Sequence, residues 1–267
     1  MSTDDVDVLH EFGDGVARIT LNRPEAANAI APEARDRIIA LLQQADADPE
    51  VRVVVLAANG RHFCAGADVT RIHAASSEPK RVGDGMRRIM GGAQRLIAAV
   101  LDCGKPVIAA VQGPAAGMGA HLAFAADLVV AADTATFIES FVLRGLVVDA
   151  AGAYLLPRRI GLQKAKELAF LGDKLSAQDA HDLGLVNRVV LPEELEKAVA
   201  ELSDRLTAAP TGAIALTKKL FNRSLDGDRE ESFLLEAALQ DLQSYAHDSA
   251  EGIAAFKERR TPRYLGW

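Results

Sequence analysis

Apolar and polar residues alternate over 6–12 and again over 15–21, on either side of Gly13-Asp14-Gly15. That pattern predicts an antiparallel hairpin. Between Pro32 and Ala47 the apolar residues Ile38, Leu41, Leu42 and Ala45 recur at helical spacing, and Asp48-Pro49 ends that helix before a strand over 51–57. Ile89, Ala93, Leu96, Ile97, Val100 and Leu101 mark a second helix, which leads into the run 107–111. This run is apolar at every position and bounded by Pro106 and Gly113, as in a strand covered on both faces. A glycine-rich turn, an alanine-rich helix and another strand follow without a break as far as Phe137. Strand and helix therefore alternate, which predicts an α/β core.

Beyond Phe137 the pattern predicts an irregular stretch, helices over 150–160 and 163–171, and a strand over 185–190. From Pro192 onward it predicts helices only, with Leu195, Val199, Leu202 and Leu206 on one stripe and Leu235, Leu239, Leu242 and Ala246 on another. Breaks at 209–212 and 226–228 leave helices too short to bury their apolar faces alone, so packing between subunits is expected. The chain thus divides into a core, 1–191, and a helical oligomerisation region, 192–267. The polar stretch 72–85 has no clear period and is the expected mobile cover of a site.

Chemistry is expected at the turn GPAAGMGAH, 113–121, where glycines permit close approach and backbone N–H groups can point at an oxygen. Gly113, Gly117 and Gly119 do not make a dinucleotide-binding G-x-G-x-x-G, and no P-loop lysine follows. Composition narrows the picture further. The net charge is −7 with no long basic run, so neither nucleic acid nor an anionic membrane surface is an expected partner. Cys64 and Cys103 form no CxxC, which argues against a disulfide framework or zinc site and suits a reducing cytoplasm. The acidic start MSTDDVDVLH lacks an apolar signal region, and no apolar stretch reaches the roughly 18 to 20 residues of a membrane span. A cytoplasmic protein without a membrane segment is expected.

Four signatures occur in order: LNRPEAANAI at 21–30, HFCAGADV at 62–69, the block 105–137, and EGIAAFKERRTPRY at 251–264. Together they resemble the enoyl-CoA hydratase/isomerase (crotonase) superfamily over nearly the whole chain. The resemblance implies a crotonase-like spiral of ββα repeats, a C-terminal helical trimerisation region, and homotrimers or hexamers. It also implies a coenzyme A thioester as substrate, with no metal or redox cofactor. By position, the backbone N–H groups of Ala67 and Met118 would form the oxyanion hole that stabilises an enolate. Arg23 and Arg259 would contact the coenzyme A phosphates, unless they are solvated surface charges, and Ala65 would meet the adenine half.

The resemblance also marks departures. Hydratases of this superfamily hold and activate water with two glutamates, and the matching positions here are His121 and Phe141. Phenylalanine cannot transfer a proton, so Phe141 is left as a substrate-binding residue, and Glu139 stands two positions away on a segment that extended geometry would keep on the same face. Asp149, in FVLRGLVVDAAGAYLLPRRIG, falls where phenylacetate-pathway and dienoyl-CoA isomerases carry a catalytic aspartate. It either acts as a base in apolar surroundings or caps the helix beginning near Ala150. His121 either orients substrate and relays a proton or is a half-buried structural histidine. The leading expectation is an enzyme that shifts the double bond of an unsaturated CoA thioester. The alternatives are a 2-enoyl-CoA hydratase using Glu139 or Asp149 with His121, and a non-catalytic acyl-CoA-binding protein.

Overall fold

The structure, a computed structural model, describes residues 7–68 and 81–267. Val6, Val69 and most of the expected cover segment, 72–80, lie outside the described residues. Strands β1 (Val8–Gly13) and β2 (Val16–Leu21) form the expected hairpin. Asp14 and Gly15 both have positive φ, 52° and 77°, as a two-residue hairpin turn requires. Helix α1 spans Pro32–Ala47 and buries Ile38, Leu41, Leu42 and Ala45, the residues whose spacing predicts it.

Next come β3 (Val53–Ala58), α2 (Asp84–Ile89) and α3 (Arg95–Asp102), the two helices being joined by a π-helical turn over Met90–Gln94. Strand β4 (Val107–Val111), the two-residue β5 (Ala115–Ala116), α4 (Met118–Ala125), β6 (Leu128–Ala132) and β7 (Thr136–Ile138) follow. Strand–strand–helix units recur along this half of the chain. Helix α5 (Gly152–Leu171) is interrupted at Gly161, where φ 76° and ψ 159° split it close to the break expected from the sequence. The chain continues through β8 (Lys174–Ser176), α6 (Ala177–Asp182) and β9 (Arg188–Val190). The strand expected from residue 185 begins only at 188. Residues 183–186 instead wrap the end of α6, with the Leu185 and Val186 amides both donating to Ala180 O.

Six strands form the main sheet in the order β1-β2-β3-β4-β6-β9, parallel throughout except for the β1–β2 hairpin. Both faces are covered, as the uninterrupted apolar run of β4 predicts. Val54, Leu56, Val107, Ala109 and Val111 meet α1, α3 and α4 on one face. On the other, Val53, Val55, Ala57, Ile108, Ala110 and Val130 meet Leu195, Ala198, Val199 and Leu202 of α7 (Leu195–Thr207). Each large side chain so buried contributes about 1.5–3 kcal/mol of transfer free energy. The helical region expected from residue 192 therefore begins inside the core. Its remaining helices are α8 (Thr211–Ser224), α9 (Arg229–Ser244) and α10 (His247–Glu258). Helix α8 is tied to the core by Lys218, whose Nζ donates to Asp127 Oδ2 at 2.8 Å and to Val100 O at 3.1 Å. No helix of the described residues is long and apolar enough to cross a membrane.

Candidate active site

Parallel strands β2, β3 and β4 lie side by side, so the segments leaving their carboxyl ends, 22–30, 59–68 and 112–117, emerge along one edge. Ligand crevices of parallel sheets form at such an edge. Side-chain amides fasten the three segments together. Asn28, buried and in the left-handed region at φ 54°, donates from Nδ2 to Asn59 O at 2.9 Å and His62 O at 2.7 Å, and accepts from the Arg23 amide at 2.8 Å. Gln112 donates from Nε2 to Ala58 O, Gly60 O and His62 O at 2.9–3.1 Å. Sequence reasoning missed both. Their signal was an amide side chain in each of two motifs whose carbonyl partners are distant in the chain.

The loop 63–67 is held against the glycine turn by backbone hydrogen bonds. The Phe63 and Cys64 amides donate to Pro114 O, and the Ala116 amide donates to Cys64 O. Glycine is required at 119 because a Cβ there would overlap the Cys64 carbonyl oxygen. At Gly117, φ 52° and ψ −122° lie outside the regions open to other residues, and its amide donates to Ile138 O of the small sheet β5-β7-β8. This strained corner starts α4 at Met118, whose amide is one of the helix's unsatisfied first-turn donors. A methyl group placed on Gly66 would lie 3.6 Å from the Met118 nitrogen, so the Ala67 loop and the Met118 helix end are neighbours. The structure brings Ala67 and Met118, the two residues paired from sequence, to the same corner. Two backbone donors from different segments can converge on one oxygen there. Ala65 is exposed at the rim of this loop, its amide donating to Ala27 O at 3.0 Å.

Asp149 is half-buried and is not a helix cap. The N-cap of α5 is Ala151, no side chain caps the helix, and Ala150 and Ala151 both take left-handed angles, φ 46° and 60°. The capping role considered from sequence is therefore excluded: the two alanines displace the carboxylate from the helix start. Such angles cost a residue with a side chain roughly 1–3 kcal/mol each, and the Gly152 amide closes the turn by donating to Asp149 O at 2.9 Å. Burial pushes the Asp149 carboxyl above the usual carboxylate range, opposed by the neighbouring His121.

His121 is fully buried, not half-buried, because α4 is a buried helix throughout. Its Nε2 lies 3.1 and 3.0 Å from the two Glu139 oxygens, and Glu139 is itself 4% exposed. Phe141 stacks on the imidazole, with centroids 5.6 Å apart and planes 15° from parallel. Residues 139 and 141 thus share a ring, one at its edge and one over its face. Phe141 also borders the Gly117 corner: a Cβ on Gly117 would lie 3.5 Å from its ring.

The arginines differ. Arg23 is engaged inside the fold, its Nη1 donating to Asp68 Oδ2 at 3.0 Å and Ala29 O at 3.2 Å. Arg259 is exposed at the left-handed end of α10, and among the described residues its guanidinium has no partner. The adjacent Arg260 takes the acidic partners Glu251 and Glu258 instead.

A family model described as enoyl-CoA hydratase/isomerase matches residues 11–266. A Rhodobacter capsulatus protein named "Probable enoyl-CoA hydratase" is 36% identical over 259 residues, covering 97% of this chain and 98% of that protein. The 1,2-epoxyphenylacetyl-CoA isomerase of Escherichia coli is 35% identical over 260 residues, with the same coverage of 97% and 98%. A crystal structure of an enoyl-CoA hydratase/isomerase from Cupriavidus metallidurans superposes with a TM-score of 0.90 at 36% identity, covering 100% of this chain and 98% of that one. On fold, motif order and these likenesses, the chain belongs to the enoyl-CoA hydratase/isomerase family and is an enzyme of the crotonase superfamily.

Proposed function

We propose that the protein shifts the double bond of an unsaturated CoA thioester, with Asp149 as the base. The carboxylate takes a proton from the α-carbon of a 3-enoyl thioester. The charge moves onto the thioester oxygen, which accepts hydrogen bonds from the Ala67 and Met118 amides. Asp149 then returns the proton at the γ-carbon, leaving the 2-enoyl isomer. One carboxylate suffices, because the same group gives back what it took. The steps are redox-neutral and are written without a metal or redox cofactor, coenzyme A entering as part of the substrate. The reading also has the chain working as a homotrimer or a dimer of trimers.

The observation that carries this reading is the state of Asp149. Its carboxylate has no hydrogen bond among the described residues, burial raises its pKa, and it stands beside the buried His121. An unpartnered carboxylate of raised pKa is a better base than one held in an ion pair. The E. coli relative is by name an isomerase of a CoA thioester, the same broad class of reaction on an epoxide substrate. A hydratase reading draws on the Glu139–His121 pair as a holder of water. Against it, both Glu139 oxygens are turned to the imidazole, and Phe141 covers the ring.

The test is turnover of matched 3-enoyl-CoA and 2-enoyl-CoA substrates by wild type and Asp149→Ala, with products resolved by mass. A double-bond shift without mass gain, lost in Asp149→Ala, supports the isomerase. Water addition that survives the substitution supports the hydratase, and tight acyl-CoA binding without turnover supports a binding protein.

A further inference from the structure

Asp149 reaches the site on a turn whose backbone is strained and whose only covalent anchors are its two ends. Something must hold that turn in place. Gly152 closes it, and Gly152 lies flat against the edge of the His121 imidazole: a Cβ at 152 would overlap Cε1 and come within 2.5 Å of Nε2. Val148, just before Asp149, is the next neighbour of the same position, at 2.7 Å. The Gly152 end of the turn is therefore seated against the ring, with the Val148 end packed beside Gly152.

The ring's own orientation depends on few contacts. Nδ1 is buried and has no hydrogen-bond partner among the described residues, so the polar fixation of the imidazole comes through Nε2 alone. Glu139 accepts there with both oxygens, and Phe141 stacks on one face. A carboxylate that fixes a buried imidazole through one nitrogen sets its tautomer and rotation, and hence whatever packs against its edge. Neither Glu139 nor His121 is exposed to a substrate in the crevice. We propose that Glu139 and His121 form a buried positioning pair for Asp149, with the imidazole as the wall on which the turn 148–152 is seated. The inference rests on the reading of Asp149 as the base. It assigns to both residues an effect on the carboxylate's aim and no contact with the reacting atoms.

The experiment follows α-proton exchange of trans-3-hexenoyl-CoA in D2O for Glu139→Gln, His121→Asn, Asp149→Asn and the Glu139→Gln/Asp149→Asn double variant of the full chain, together with thermal unfolding of each. Glu139→Gln preserves size and one acceptor oxygen. It is expected to lower kcat about 10- to 100-fold with KM changed less than about threefold, since misplacing a reacting group by about an ångström costs that much. The double variant is expected to be no slower than Asp149→Asn alone, because a residue acting through Asp149 has nothing left to position. Wild-type kcat in both Glu139→Gln and His121→Asn, or losses that multiply in the double variant, overturn the inference. His121→Asn keeps it testable if Glu139→Gln does not fold, and Gly152→Ala, which places a Cβ against Cε1 and Nε2 of the ring, should show the same fall in kcat. If Asp149→Asn itself keeps wild-type exchange, the base assignment fails. If Asp149→Asn is inactive while Glu139→Gln and His121→Asn keep wild-type kcat, only the positioning pair fails.

Discussion

Arg23 and Asp68, 45 residues apart in the chain, meet at 3.0 Å with side chains only 15% and 7% exposed. The contact ties the segment after β2 to the loop that carries Ala67. It also gives Arg23 a structural task, beside which the phosphate contact that its position in the LNRPEAANAI motif suggests stays a separate expectation. Removing one partner of a largely buried ion pair costs about 3–5 kcal/mol when burial is complete and less here. Arg23→Met is expected to lower the unfolding temperature clearly and to raise KM equally for an enoyl-CoA and for the matching enoyl-pantetheine thioester. A phosphate contact would show the opposite signature, with KM rising for the CoA substrate alone and stability unchanged.

The oxyanion assignment is tested through the glycine that lets the two donors approach. Gly119→Ala places a Cβ onto the Cys64 carbonyl and should force the 63–67 loop away from α4. Losing one donor of an oxyanion hole costs about 100- to 1000-fold in kcat. Gly119→Ala is therefore expected to fall in that range while circular dichroism stays that of wild type. Met118→Ala keeps the backbone donor and should hold kcat within a few-fold. If Met118→Ala proves as damaging as Gly119→Ala, the side chain and not the amide is the active group.

Much of this arrangement was legible in the sequence, and the boundary of legibility has a physical cause. The hairpin at Asp14-Gly15, helix α1 and the doubly covered β4 rest on periodicity and turn chemistry, which are local. The glycine turn was readable because Gly117 and Gly119 meet backbone requirements that few residues can. What stayed hidden depends on contacts across the chain. Nothing in the sequence places Glu139 at the His121 ring edge, or Asn28 under the carbonyls of the next loop. Asp149 before an alanine run looks like a helix cap, and only the left-handed angles of Ala150 and Ala151 remove it from that role. The stripe on α7 was visible, but whether it faced a partner or the sheet of its own chain was not.

Asp149 carries opposite consequences for activity and stability. Burial favours its protonated form in the folded state, so its folded pKa lies above the unfolded value. The folded state then binds the proton more tightly. This contribution to stability is full below the unfolded pKa and is lost as pH rises through the folded one. At neutral pH the ionised carboxylate is a net burden, so Asp149→Asn is expected to raise the unfolding temperature at pH 7 while abolishing isomerisation, with the stability gain vanishing in acid. In wild type, kcat/KM should fall as pH drops through a pKa above that of an ordinary aspartate. An Asp149→Asn variant less stable than wild type at pH 7 would contradict the shift.

Cys64 sits at the centre of the site without being available to it. Burial pushes its thiol up to about 12, and Cys103 is likewise buried and raised. At pH 8 a thiol of that pKa is thiolate in only about one molecule in ten thousand, and the thiolate is the reactive form. Iodoacetamide should leave both cysteines unmodified in the native protein and label both in guanidinium. Loss of activity from rapid labelling of native Cys64 would show that the 63–67 loop opens far more readily than its hydrogen bonds imply.

Helix α9 presents the strongest case for association between copies of the chain. It runs for 16 residues without one buried side chain, and Phe233, Leu234 and Leu242 are exposed along it, with Tyr245 at its end. A helix of that length is marginal by itself in water and is normally held by an apolar face that packs on something. Within the chain, α9 lies against α8, whose Phe221 is also exposed. Large exposed apolar side chains gathered on two neighbouring helices favour an interface there. Sedimentation at micromolar concentration is expected to give three or six times the monomer mass. Phe233→Glu should shift the protein toward monomer and lower its unfolding temperature, since a charge placed in a closed apolar interface must be desolvated without a partner. A wild-type monomer at that concentration would mean that this surface is covered by something other than a second copy of the chain.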